Sequence, residues 1–149
     1  MVEPIGFGAN PETAGDNAFQ AAVPASAEAE VESRARAEFR SLVEALETRG
    51  VEVVVFAPQG NRRPPDSVFP NNWFSTHPDG RWVLYPMMAP SRRRERLTEI
   101  VAWLGSMYGE PVDLTAEEAR GRYLEGTGSL VIDESARVVY ASRSPRSDE

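Results

Sequence analysis

Asp66-Ser67-Val68-Phe69-Pro70-Asn71-Asn72-Trp73-Phe74-Ser75-Thr76-His77 is the stretch on which the fold turns, because it sets an acid, two carboxamides and aromatic rings along what reads as one β-strand. Strict alternation would put Ser67, Phe69, Asn71, Trp73 and Ser75 on one face and Val68, Pro70, Asn72 and Phe74 on the other. Two readings stay open: an edge strand whose Pro and Asn residues prevent pairing, or a polar recognition wall. Pro78-Asp79-Gly80 is a turn signal, and Arg81 to Tyr85 is a second strand-like run, so a hairpin is expected.

Downstream, Leu124-Glu125-Gly126-Thr127-Gly128-Ser129-Leu130 sets a carboxylate beside two glycines at the mouth of another apolar run. The two clusters are expected to wall one polar pocket. Gly126 to Ser129 invites comparison with a phosphate loop, but a strand-like run follows and the P-loop lysine is missing. Gly6-Phe7-Gly8 lacks the third glycine of a dinucleotide fingerprint. Arg92, Arg93, Arg94 and Arg96 cluster in the first turn of an expected helix, where positive charge opposes the helix dipole. They read either as a solvated face or as a source of one two-pronged hydrogen bond to a ligand carboxylate. His77, beside the turn, reads as a surface residue rather than a base.

Working outward, residues 9 to 27 mix Asn, Pro, Gly, Thr, Ala and Ser without a period and read as a long loop. From Glu28 to Arg49, Val31, Ala35, Phe39, Leu42, Val43 and Leu46 recur three or four apart, the pattern of a helix with one apolar stripe that Gly50 terminates. Val51 to Phe56 is β-branched and short, as a buried strand would be. Ser91 is expected to cap a helix to about Tyr108, with Leu97, Ile100, Val101 and Leu104 buried. A strand near Val112 follows, then a brief helix with capping-box spacing at Thr115 and Glu118. Gly128 to Ile132 and Val138 to Ala141 read as a hairpin around Asp133-Glu134-Ser135, and the tail from Ser142 as frayed. The order hairpin, helix, strand thus repeats at roughly 60 residues, and such units bury their faces against neighbours.

Sixteen Lys plus Arg against 23 Asp plus Glu give a formal charge of −7, which argues against nucleic acid or an anionic membrane as partner. A small polar or cationic ligand suits that balance. With no cysteine and one histidine there is no disulfide, no sulfur nucleophile and no plausible zinc ligand set, so neither metal nor cofactor is expected. The N-terminus has no signal-peptide pattern, and no run is long enough to cross a bilayer, so a cytoplasmic protein is expected.

These same residues resemble the guanidino-group modifying superfamily of arginine deiminases, dimethylargininases and amidinotransferases, and within it the citrulline-utilisation hydrolase branch. The likeness rests on Asn10-Pro11-Glu12-Thr13-Ala14 with Asn17 and Gln20, on the stretch from Asp66 to His77, on Leu84-Tyr85-Pro86-Met87 with Arg92-Arg93 and Glu95-Arg96, and on Leu124 to Leu130. It implies an α/β pentein fold, a five-bladed propeller, of which residues 1–149 would form one domain holding about two and a half modules. It also implies an N-terminal half that lacks the Cys nucleophile and catalytic His of relatives. Such a half would be inactive alone and completed by a complementary C-terminal half or by a homo-oligomer.

By the same resemblance, Asp66 meets the substrate's α-amino group, Phe69 its alkyl chain, Arg92 or Arg93 its carboxylate, and Asn72 its terminal group. Asn17 joins the binding set, and Glu125 serves the terminal group and the proton transfers. Deiminases usually carry aspartate at the position of Asn72. A carboxamide can donate to a ureido oxygen and accept from its NH2, whereas an ionised aspartate only accepts. That leans toward citrulline, with arginine still open. A non-catalytic amino-acid binding protein and an inactive fragment remain as alternatives.

Overall fold

The computed structural model describes every residue except 16, 18, 19, 21–23, 60–62, 148 and 149. It divides into two compact units, Met1–Phe69 and Pro70–Glu149. Helix and small sheets are both present, as expected of an α/β chain; among the described residues the strands all lie in the second unit.

In the first unit, helix α1 spans Glu28–Glu47 and ends as the sequence requires. Gly50 takes φ +79°, its N–H reaches Glu47 O at 2.9 Å, and the Val51 N–H reaches Leu46 O at 3.1 Å. This pair of bonds satisfies the last carbonyls in the manner of a glycine C-cap. Val31, Ala35, Phe39, Val43 and Leu46 form the half-buried side, while Leu42 is exposed. The run after Gly50 departs from expectation. Among the described residues it makes one bridge, Val2 with Phe56, and Val51 and Val55 are exposed. A strand is buried by neighbours on both edges, and here, among the described residues, the main-chain bonds go to the first three, through Phe56 N to Met1 O and Glu3 N to Phe56 O.

In the second unit, strand β1 (Phe74–Thr76) pairs antiparallel with β2 (Trp82–Leu84), in register Ser75 with Val83, around a turn where Gly80 has φ +81°. The hairpin is therefore present, but the long strand expected from Asp66 to His77 is not. Pro70–Asn72 form a 3-10 turn, and the alternation breaks: Trp73 is fully buried and Phe69 is 46% exposed. A proline with fixed φ starts a turn more readily than it continues a ladder.

The helix expected from Ser91 to Tyr108 is two helices. Helix α2 (Pro90–Arg93) starts with proline at its first position after Ala89, without a serine cap. Helix α3 (Thr98–Tyr108) starts after Leu97, whose ψ of 132° is extended. Leu97, Ile100 and Leu104 are buried as expected, with Trp73, Trp82, Leu84, Tyr85 and Met87, while Val101 is only half-buried. Strand β3 (Val112–Asp113) then lies parallel to β2, completing hairpin, helix and strand in that order. The Thr115–Arg120 segment is a 3-10 helix without a capping box: Asp113 Oδ1 accepts the Thr115 N–H, and the Glu118 carboxylate turns elsewhere.

Gly126–Ser129 form a single helical turn, α4, where a strand was expected to begin. Strands β4 (Leu130–Asp133) and β5 (Val138–Ala141) follow as an antiparallel hairpin. Val131 and Tyr140, cross-strand partners, are both exposed. Residues 142–147 are tied down rather than frayed, by bridges Leu124 with Ser147 and Ser144 with Ser147. Among the described residues, no helix is long and apolar enough to cross a membrane.

Candidate functional site

Within the second unit, the glycine turn after Glu125 docks on the Pro70–Asn72 turn. A methyl at Gly126 would collide with the Asn71 carbonyl oxygen, and one at Gly128 would stand 2.6 Å from Asn72 Oδ1. Only glycine permits that approach. The contact is fixed by Asn71 Nδ2, which donates to Thr127 Oγ1 at 2.8 Å and to Asn72 Oδ1 at 3.2 Å. The two clusters singled out in the sequence, Asn71-Asn72 and Glu125 to Gly128, are thus packed together.

Glu125 is 1% exposed. Its Oε1 accepts the Met88 N–H at 3.2 Å, and its Oε2 lies 3.6 Å from Arg92 Nη1 and 3.9 Å from Arg146 Nη1. A carboxylate this deep needs such cations, since an unpaired buried charge is strongly destabilising. Arg92 is equally sunken at 3% and makes a two-pronged bond with Glu95, Nε to Oε1 at 2.9 Å and Nη2 to Oε2 at 3.1 Å. The arginine cluster is therefore not a solvated face: only Arg94 is exposed.

Arg93 is half-buried and donates from Nε to Met87 O at 2.8 Å and from Nη2 to Met88 O at 3.0 Å, with its guanidinium 5.8 Å from the Tyr123 ring centroid. Arg96 grips Glu118 by two bonds of 2.7 and 3.0 Å and donates to Tyr85 O at 3.1 Å. Glu118 also accepts the Met87 N–H at 2.8 Å. The strip Tyr85–Met88 is therefore held by ionised side chains along most of its length. Among the described residues, no group of three or more His, Asp and Glu could hold a metal ion.

A family profile described as "N,N dimethylarginine dimethylhydrolase, eukaryotic" matches residues 3–149. The chain belongs to this family. Membership supports the wider guanidino-group modifying superfamily that the motifs resemble, and hence a small guanidino amino acid as the substrate class of the family. Among characterised proteins and solved structures, none matches the chain.

In the dimethylarginine dimethylhydrolase-family chain, the remaining predicted residues lie in the first unit. Asp66 is buried and accepts from Asn10 Nδ2 at 2.7 Å. Asn10, 1% exposed, is locked in turn by Gln20, whose Oε1 accepts the Asn10 N–H at 3.2 Å and whose Nε2 donates to Asn10 O at 3.0 Å. Asn17 is half-buried, and its carbonyl accepts the Gln20 N–H at 3.1 Å; Phe69 is exposed. Asn10, Glu95, Glu118 and Arg146 carry geometry that sequence reasoning did not assign. The spacing of Arg92 and Glu95, one helical turn apart, was the available signal for the second.

Proposed function

We propose that this chain supplies the substrate-recognition residues of a C–N hydrolase acting on an amino acid with a guanidino or ureido end, with N,N-dimethylarginine, arginine and citrulline as the compounds to separate. The observation that carries this reading is Glu125: a carboxylate sunk to 1% exposure, set by Met88 N–H between two arginines, and leading into a turn packed on Asn71-Asn72. A carboxylate so placed can pair with a guanidinium and relay protons to a departing amine. Asn72 supplies a carboxamide beside it, able to donate as well as accept.

Of the two arginines assigned to the substrate carboxylate, Arg93 is the better placed. Its side chain is 29% exposed against 3% for Arg92; both already bind the protein, Arg93 through the Met87 and Met88 carbonyls and Glu118, and Arg92 through Glu95. The roles given to Asp66, Phe69 and Asn17 by resemblance, the pentein architecture, the single-domain organisation and the cytoplasmic location stand as parts of the same proposal. So does the citrulline-utilisation branch, which the carboxamide of Asn72 favours.

The 149 residues contain no cysteine, so the thiolate attack of relatives needs a group from a complementary half; a second copy of this chain completes a site only by burying it, since it has no thiol to give. The same fact favours one alternative, a binding protein without turnover. The test is direct. Incubated alone with N,N-dimethylarginine, arginine or citrulline, the chain releases no amine or ammonia at an enzyme-like rate; release at such a rate overturns the assignment. Isothermal titration with the three compounds separates the alternatives, since a stand-alone binding protein holds one of them tightly and a half-site holds none.

A further inference from the structure

A second constellation lies in the same unit, built from residues the guanidino reading does not use. Ser75 and His77 sit two apart at the β1 end of the first hairpin and so point the same way. His77 Nε2 is 2.9 Å from Ser75 Oγ, His77 Nδ1 is 3.5 Å from Glu134 Oε1, and Ser75 Oγ is 2.8 Å from the Tyr85 hydroxyl. One proton assignment satisfies all three contacts. Nδ1–H faces the Glu134 carboxylate, the Ser75 hydroxyl donates to Nε2, and the Tyr85 hydroxyl donates to Ser75 Oγ. In that arrangement the serine proton is aimed at a base whose other nitrogen is oriented by a carboxylate, the relation that activates a hydroxyl nucleophile.

His77 and Glu134 also line a groove of about 580 Å³, with Ile132, Val138 and Val139 as its apolar part and Arg81 and Arg137 as cations; half-buried Ser75 adjoins that lining through His77. That volume falls in the range of small-molecule sites, roughly 300–1,000 Å³. Glu134 belongs to the β4–β5 turn and Ser75 to β1, so the constellation forms only when the two hairpins are folded together.

We propose that Ser75, His77 and Glu134 form an acyl-transfer site for small carboxylic esters, separate from the Glu125 site and independent of its assignment. Ser75 Oγ bonds to the ester carbonyl carbon while its proton passes to His77 Nε2, and the Tyr85 hydroxyl donates to the carbonyl oxygen as it gains charge. The C–O bond to the alcohol then breaks and His77 returns the proton to the leaving oxygen. Water attacks the acyl-serine, giving its proton to His77, and the acid departs as Ser75 recovers its own.

A fluorophosphonate probe tests this on the intact chain, because its reaction forms a Ser75 Oγ–P bond, expels fluoride and uses the same proton acceptor. The expected result is a probe adduct mapped by peptide mass spectrometry to Ser75, lost in Ser75→Ala, and slowed by about tenfold or more in His77→Gln and Glu134→Gln. p-Nitrophenyl acetate hydrolysis should fall in the same order. Glu134 is in an exposed turn, so Glu134→Gln and the mapped wild-type adduct remain informative if Ser75→Ala fails to fold. No adduct on Ser75 in the folded chain, or a labelling rate unchanged in both His77→Gln and Glu134→Gln, overturns the proposal.

Discussion

Arg96 holds Glu118 through two parallel bonds of 2.7 and 3.0 Å, and Glu118 uses the same carboxylate to accept the Met87 N–H. One side chain from a 3-10 helix thereby fixes the course of the strip that leads to Glu125's partner, Met88.

Removing that carboxylate exposes how much depends on it. Glu118→Ala leaves Arg96 without its counter-ion in a site where both side chains are mostly buried. The expected loss is on the order of 3 kcal/mol, read as a lower urea midpoint with an unchanged slope. Retention of the wild-type midpoint would mean the clamp is not structural.

Two glycines should respond in opposite directions to alanine. Gly126→Ala places a methyl against the Asn71 carbonyl, which belongs to the main chain and gives way only if the turn shifts, so a loss of about 2–3 kcal/mol is expected. Gly105 lies inside α3 with nothing near its added methyl. Gly105→Ala should stabilise the chain by about 0.5–1 kcal/mol. Thermal melts of the pair provide the comparison.

In the first unit, Asn10→Ala deletes a buried bond to an acid. About 2–3 kcal/mol should be lost, because a charged acceptor loses a donor that water does not easily replace. Asn10→Asp should be worse than Asn10→Ala at neutral pH, since it sets carboxylate against carboxylate. Parallel denaturation curves decide the order.

The β4–β5 turn should sense acid. Asp133 accepts the Ala136 N–H and the Ser135 hydroxyl, and these bonds hold its carboxyl below the usual value of 3.8. A depressed folded value contributes stability above the unfolded value and loses it as pH falls through the folded one. The turn should therefore loosen only below about pH 4, visible as faster Ala136 amide exchange after correction for intrinsic rate. A carboxyl titration of Asp133 centred above 3.8 would contradict the geometry.

Features with a local chemical cause were legible in the sequence. The α1 stripe and its Gly50 stop, the Pro78-Asp79-Gly80 hairpin and the β4–β5 hairpin follow from spacing and turn chemistry within a few residues. The two polar clusters, expected as walls of one pocket, do meet, but through a glycine-to-main-chain contact that their composition did not announce. What failed depended on partners far along the chain. Arg92 read equally as a solvated residue or a ligand's partner, and Glu125 as part of a pocket wall; what spacing did not show is their pairing, with Glu95, that takes all three inside. The break between α2 and α3 is invisible to apolar periodicity, since it lets Glu95 turn inward before Leu97 starts a new helix. Val51 to Phe56 has strand composition, but among the described residues no flanking strands bury it.

The strip from Tyr85 to Met88 is upholstered with guanidinium and carboxylate, beside two main-chain bonds, Tyr85 N–H to Trp73 O and Leu124 N–H to Pro86 O. Its fastening is thus chemically akin to guanidinium chloride itself, which can offer each carboxylate a competing cation and shield the rest. Urea has no such handle. The two denaturants should consequently rank this chain's robustness differently, with the salt unpicking the strip ahead of the tryptophan core.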